Sequence, residues 1–165
     1  MQQSIFQRFW SWYERHYKLT VGITNVLFIW QLIHLYWLTT DVVMHRILGR
    51  SFFHPTGIWE VILVVVDYTE IPALISASIL YIHEYQKKKS AKSILALLAL
   101  NSQWLHLFWI TDEVVVNLLT AKGAFIGLPV WLAWVAILID YLEVPVIFDT
   151  MRKFLASFRH DRDPA

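Results

Sequence analysis

Residues 31–43, QLIHLYWLTTDVV, decide the fold, because residues 103–115 read QWLHLFWITDEVV at an offset of 72. Seven of the thirteen positions are identical, including Gln31/Gln103, His34/His106, Trp37/Trp109 and Thr39/Thr111, and Asp41 falls opposite Glu113. A second match, at an offset of 73, lays DYTEIP (67–72) on DYLEVP (140–145). Asp, Tyr, Glu and Pro recur there, and one inserted loop residue reconciles the two offsets. Such self-similarity marks a tandem duplication.

Around these motifs run four apolar stretches, 19–43, 58–82, 94–119 and 125–148. Each is long enough to cross a hydrocarbon core of ~30 Å at ~1.5 Å per residue. The chain is 57% hydrophobic and only 16% charged, a membrane profile rather than a soluble one. The first stretch is longer than a signal-peptide core, carries polar residues and has no small-residue cleavage site after it, so it reads as a retained span.

Each copy of the repeat holds two spans, an even number, so both copies enter the bilayer from the same side and a pseudo-two-fold axis is expected along the membrane normal. The expected architecture is an all-α membrane protein, a four-transmembrane-helix antiparallel bundle forming one integral domain over 1–165. The first repeat is placed at 19–82, the second at 92–150, and tails at 1–18 and 151–165.

Lys and Arg decide the expected orientation. Three precede the first span (Arg8, Arg15, Lys18), four fill the second loop (Lys87, Lys88, Lys89, Lys92) and four follow the last span (Arg152, Lys153, Arg159, Arg162). Eleven of fourteen thus fall on one side, which places both termini in the cytoplasm by the positive-inside rule. The Lys87–Lys89 run reads as a topology determinant with some affinity for anionic membrane lipids, not as a nucleic-acid surface. Trp10, Trp12, Tyr13, Tyr17, Trp59 and Trp131 lie near span ends and read as interface anchors. With no cysteine, disulfides, thiolate ligands and iron–sulfur clusters are excluded.

Apolar residues match by chance in membrane helices, whereas ionisable ones cost roughly 2.5–3.5 kcal/mol each at a span centre. Eight of these stand in matched positions: His34, Asp41, Asp67, Glu70, His106, Glu113, Asp140 and Glu143. Their spacing is helical. Seven residues return Asp41 to the face of His34, and Glu113 to that of His106, while Asp67/Glu70 and Asp140/Glu143 are i, i+3 neighbours. Pro72 and Pro145 are expected to break a backbone hydrogen bond and kink each helix beside its glutamate. Gln31 and Gln103, one turn before the histidines, are expected to orient the imidazoles from outside the ligand set.

Two imidazoles with several carboxylates on four helices are the ligand stock of carboxylate-bridged dinuclear centres, although the spacing is not the Glu-x-x-His of ferritin-like bundles. Nitrogen and oxygen donors without sulfur suit two divalent ions of Fe, Mn or Zn. The expected metal ligands are therefore His34, Asp41, Asp67, Glu70, His106, Glu113, Asp140 and Glu143. Asp67 and Asp140 are the expected catalytic groups, bridging the metals or serving as general base. The leading expectation is a metal-dependent membrane oxidoreductase or hydrolase acting on a lipophilic or small substrate. A proton or divalent-ion transporter and an accessory subunit of a larger membrane complex are the alternatives. Haem ligation by His34 and His106 is disfavoured by the surrounding carboxylates. Glu84, His83 and Asp149 read as solvated residues near span ends, His45 and His54 as residues of interest, His45 because it lies four residues after Asp41 on the same face, and Asp112 as an unmatched carboxylate.

Overall fold

In hydrocarbon, backbone N–H and C=O groups must bond within the segment, so long apolar runs fold as helix. The computed structural model describes residues 5–112 and 130–159, and its elements are helices α1 (Ile5–Arg15), α2 (Tyr17–Trp37), α3 (Met44–Leu48), α4 (Ile58–Tyr68), α5 (Glu70–Lys88), α6 (Ala91–Ile110), α7 (Val130–Tyr141) and α8 (Glu143–Arg159). A π-helical turn, Leu38–Val43, joins α2 to α3 without a loop. Four segments are long and apolar enough to cross a membrane: Tyr17–Leu48, Ile58–Lys88, Ala91–Ile110 and Trp131–Phe158. The first, second and fourth run several residues past the apolar stretches that announce them.

The first span packs on the second through α4 and α5 and on the fourth through α8, while α6 packs on α5, α7 and α8. The four spans thus close a ring. Its interior holds Phe28, Leu35, Leu74, Ala77, Tyr81, Leu100, Val146 and Ile147. Gly22 lets the Phe154 ring approach so closely that a Cβ there would meet it at 3.1 Å. The outer face carries large apolar side chains such as Leu19, Ile23, Ile29, Leu95, Leu105, Trp131 and Leu138. Buried polar side chains and exposed apolar ones invert the soluble pattern, which suits a protein solvated by lipid.

The second and fourth spans each break at the repeated proline motif. α4 ends at Tyr68 and α5 begins at Glu70, and likewise α7 ends at Tyr141 and α8 begins at Glu143. Pro72 and Pro145 then occupy the first turn of α5 and α8, where a missing N–H costs least. The glutamines of the other motif reach across to backbone carbonyls just before each break. Gln31 Nε2 donates to the Val66 carbonyl at 3.1 Å and to Thr69 Oγ1 at 2.9 Å, and Gln103 Nε2 donates to the Ile139 carbonyl at 2.7 Å. The glutamines therefore bond the helix break rather than an imidazole.

One end of the bundle is laced by charge. Lys92 and Lys153 both pair with Asp149, the latter at 2.7 Å, and Lys153 also pairs with Glu84 and lies 3.9 Å above the Tyr81 ring. Tyr81 donates to Asp149 at 2.8 Å. Beside this network His83 is buried against Trp10, Tyr13 and Tyr17, with Nε2 3.2 Å from Glu14, which also pairs with Lys87 at 2.7 Å. Glu84, His83 and Asp149 are thus tied to neighbours, not merely solvated.

Candidate metal centre

His34 lies on α2, His106 on α6, and Asp67 and Asp140 on the last turns of α4 and α7, just before the helix breaks. All four side chains are buried. A carboxylate only accepts, so the contact between His34 Nδ1 and Asp67 Oδ1 is an N–H donated by the imidazole. That fixes the proton on Nδ1 and leaves the Nε2 lone pair directed elsewhere, the arrangement by which a carboxylate prepares a histidine for a metal. His34 Nε2 is 3.7 Å from Asp140 Oδ2. The His106 Nδ1 is 2.9 Å from Asp140 Oδ1, though off the line of a hydrogen bond, and the two imidazoles meet edge-on with centroids 5.6 Å apart.

One nitrogen from each histidine and one oxygen of Asp140 lie within 4.8 Å of one another, so His34, His106 and Asp140 form a buried group able to hold a metal ion. One turn beyond Asp67 and Asp140, Glu70 and Glu143 are buried and face one another.

Several polar atoms here have no hydrogen-bond partner among the described residues: His34 Nε2, His106 Nδ1 and Nε2, Asp140 Oδ2, Glu70 Oε1 and Glu143 Oε1. Each such atom costs about 1–3 kcal/mol when left without a protein, solvent, proton or metal partner. Orphaned buried polar atoms grouped in this way mark a candidate binding site.

The other expected ligands are placed as follows. Asp41 is buried, but its carboxylate accepts from the Trp37 indole N–H at 3.1 Å and pairs with His54 Nδ1 at 3.1 Å. It does not join the His34 group, because each π turn consumes an extra residue and carries Asp41 off the face of His34. Glu113 lies outside the described residues. Asp112 is buried, and a π-helical stretch reaches Thr111 and Asp112, matching the one in the first span.

Two contacts had no forewarning in composition. Thr39 Oγ1 and the Tyr141 hydroxyl are 2.6 Å apart, and Tyr68 hydroxyl and Thr111 Oγ1 are 2.7 Å apart. All four residues belong to the matched motifs, so pairing each threonine with the tyrosine of the other motif was the available signal. A cavity of about 170 Å³ opens beside the group, lined among others by His34, His106, Asp140, Trp37, Trp109 and Arg46. Comparison with protein families, curated proteins and solved structures finds no match for the chain.

Proposed function

We propose that this chain is a membrane-embedded metalloprotein with two divalent ions in its core, acting as an enzyme on a small or lipophilic substrate. The observation that carries the reading is the convergence of His34, His106 and Asp140 with their orphaned atoms in a buried site. Two histidines and one carboxylate with open positions are the donor set of non-haem iron(II) oxygenases and, with glutamate as the carboxylate, of zinc hydrolases. Iron would support oxidative chemistry and zinc hydrolysis.

Charge balance supports the second ion. Asp67, Asp140, Glu70 and Glu143 are four buried carboxylates beside two imidazoles. Carboxylates buried in a bilayer must be neutralised by protons or cations, and two divalent cations would neutralise all four. In this reading His34, His106 and Asp140 hold the first ion, and Glu70 and Glu143 hold the second with Asp140 between. Asp67 acts on His34 rather than on metal, and Asp140 is the group best placed to bridge.

The two motif copies act as tandem two-helix repeats about an axis along the membrane normal, with successive spans antiparallel. The paired contacts His34–Asp67 with His106–Asp140, and Thr39–Tyr141 with Tyr68–Thr111, support that symmetry. The lysine-rich end then faces the cytoplasm. A lateral approach from the bilayer would select lipophilic substrates.

A second reading, a proton or ion path, is favoured by the facing Glu70 and Glu143, which extend the polar interior beyond the three-residue group. Metal analysis of Glu70→Gln/Glu143→Gln separates the two readings. The metalloenzyme reading expects the metal-to-protein ratio to fall from near two to near one with the fold intact. A ratio near zero in wild type, with proton flux in vesicles abolished by the same variant, would establish the path instead.

A further inference from the structure

The cavity beside the metal centre is not shared equally by the two halves of the sequence. Its far wall is α7, where Ala133 and Ala136 face it. At the offset of 73 the first copy carries Glu60 and Leu63 in those places. Two alanines thus leave this wall without bulky side chains. Trp37 and Trp109 form side walls, and His34, His106 and Asp140 form the floor.

Arg46, on α3, lines the same cavity, is exposed, and forms no ion pair among the described residues. Its obvious neighbour in sequence, Asp41, is already engaged by Trp37 and His54. The buried Trp109 indole N–H also has no acceptor among the described residues. An exposed cation and an N–H donor without acceptors border an otherwise apolar cavity that ends at a candidate metal site. The complementary molecule is an anion with an apolar tail.

Size narrows the class. A cavity of about 150 Å³ takes a benzene-sized body, so about 170 Å³ takes a chain of roughly six to eight carbons. That volume seats a single chain of this length.

We infer that the cavity formed by Trp37, Trp109, Ala133 and Ala136 binds a medium-chain fatty acid, its carboxylate on Arg46 and its alkyl end against His34, His106 and Asp140. What the alkyl end meets rests on the metal reading above; the cavity and its lining Arg46 do not.

The test uses an eight-carbon fatty acid carrying a photoreactive diazirine near its methyl end. It is added to the full chain in vesicles of neutral lipid, and adducts are mapped by mass spectrometry while metal content is measured in parallel. Adducts are expected at Trp37, Ala136 and Ile137, displaced by octanoate and not by octanol. Ala136→Leu and Arg46→Gln are each expected to lower the yield about tenfold, the equivalent of about 1.4 kcal/mol, with metal content unchanged. Should Ala136→Leu fail to fold, Ala133→Val narrows the same wall by less. Adducts spread over lipid-facing positions such as Ile29 and Leu105, equal displacement by octanol, or undiminished yield in Arg46→Gln would overturn the proposal. Cavity labelling in a protein that holds no metal would sustain it while overturning the metal reading.

Discussion

Asp67 is the most informative single position, because it touches the candidate ligand His34 without belonging to the three-residue group itself. Its carboxylate accepts the Nδ1 proton of His34, and both side chains are buried, so no water can replace it cheaply. Asp67→Asn keeps an acceptor, and hence the tautomer, but removes the negative charge that raises the basicity of Nε2. Asp67→Ala removes acceptor and charge together. Losing such a partner costs ~10–100-fold in metal affinity. The asparagine variant should therefore lie near the tenfold end, about 1.4 kcal/mol, and the alanine variant near the hundredfold end, about 2.7 kcal/mol. Competition with a chelator of known affinity on detergent-purified protein reads both values, and thermal unfolding of the same samples reports on the fold. Affinities equal to wild type in both variants would refute the orienting role of Asp67. Stronger binding in alanine than in asparagine would refute its mechanism.

Tyr68→Phe and Tyr141→Phe each remove one hydroxyl from a Thr–Tyr contact, and side-chain hydrogen bonds in membranes average ~0.6 kcal/mol. Steric-trap unfolding should give similar losses for the two, whereas one silent variant beside one costly variant would contradict their equivalence. At the charged end, Lys87 first and then His83 hold the Glu14 carboxyl below its ordinary value of 4.5. A depressed carboxyl stabilises the fold above its unfolded value and loses that contribution as pH falls through the folded one. The advantage in unfolding temperature of wild type over Glu14→Gln should accordingly persist near pH 6 and shrink below about 4.5, and since Glu14 is exposed it should also shrink with added salt. An advantage unchanged from pH 6 to pH 3 would contradict the pairing.

The span count and the residues of the candidate metal group were legible because the bilayer penalises what it does not need. Apolar runs announced the four spans, and His34, His106 and Asp140 stood out as ionisable residues retained in duplicate where each carries a cost. What was not legible depended on local backbone geometry. The seven-residue spacing of His34 and Asp41 promises a shared face only in an α-helix, and the π turn at Leu38–Val43 breaks that promise and delivers Asp41 to His54. The prolines signalled a break, but what would bond the turn before it was decided by the neighbouring span, where Gln31 and Gln103 reach across to Val66 and Ile139. The cavity was likewise invisible in composition, since Ala133 and Ala136 acquire meaning only when a wall is built from them.

Whether two histidines and buried carboxylates hold metal inside the membrane is open to direct measurement. Elemental analysis of protein purified in mild detergent without chelator, compared with His34→Ala/His106→Ala, tests it most directly. The account predicts a metal-to-protein ratio near two that collapses in the variant while the helical content stays unchanged. Wild-type protein without stoichiometric metal, or a variant that retains it in full, would contradict the account.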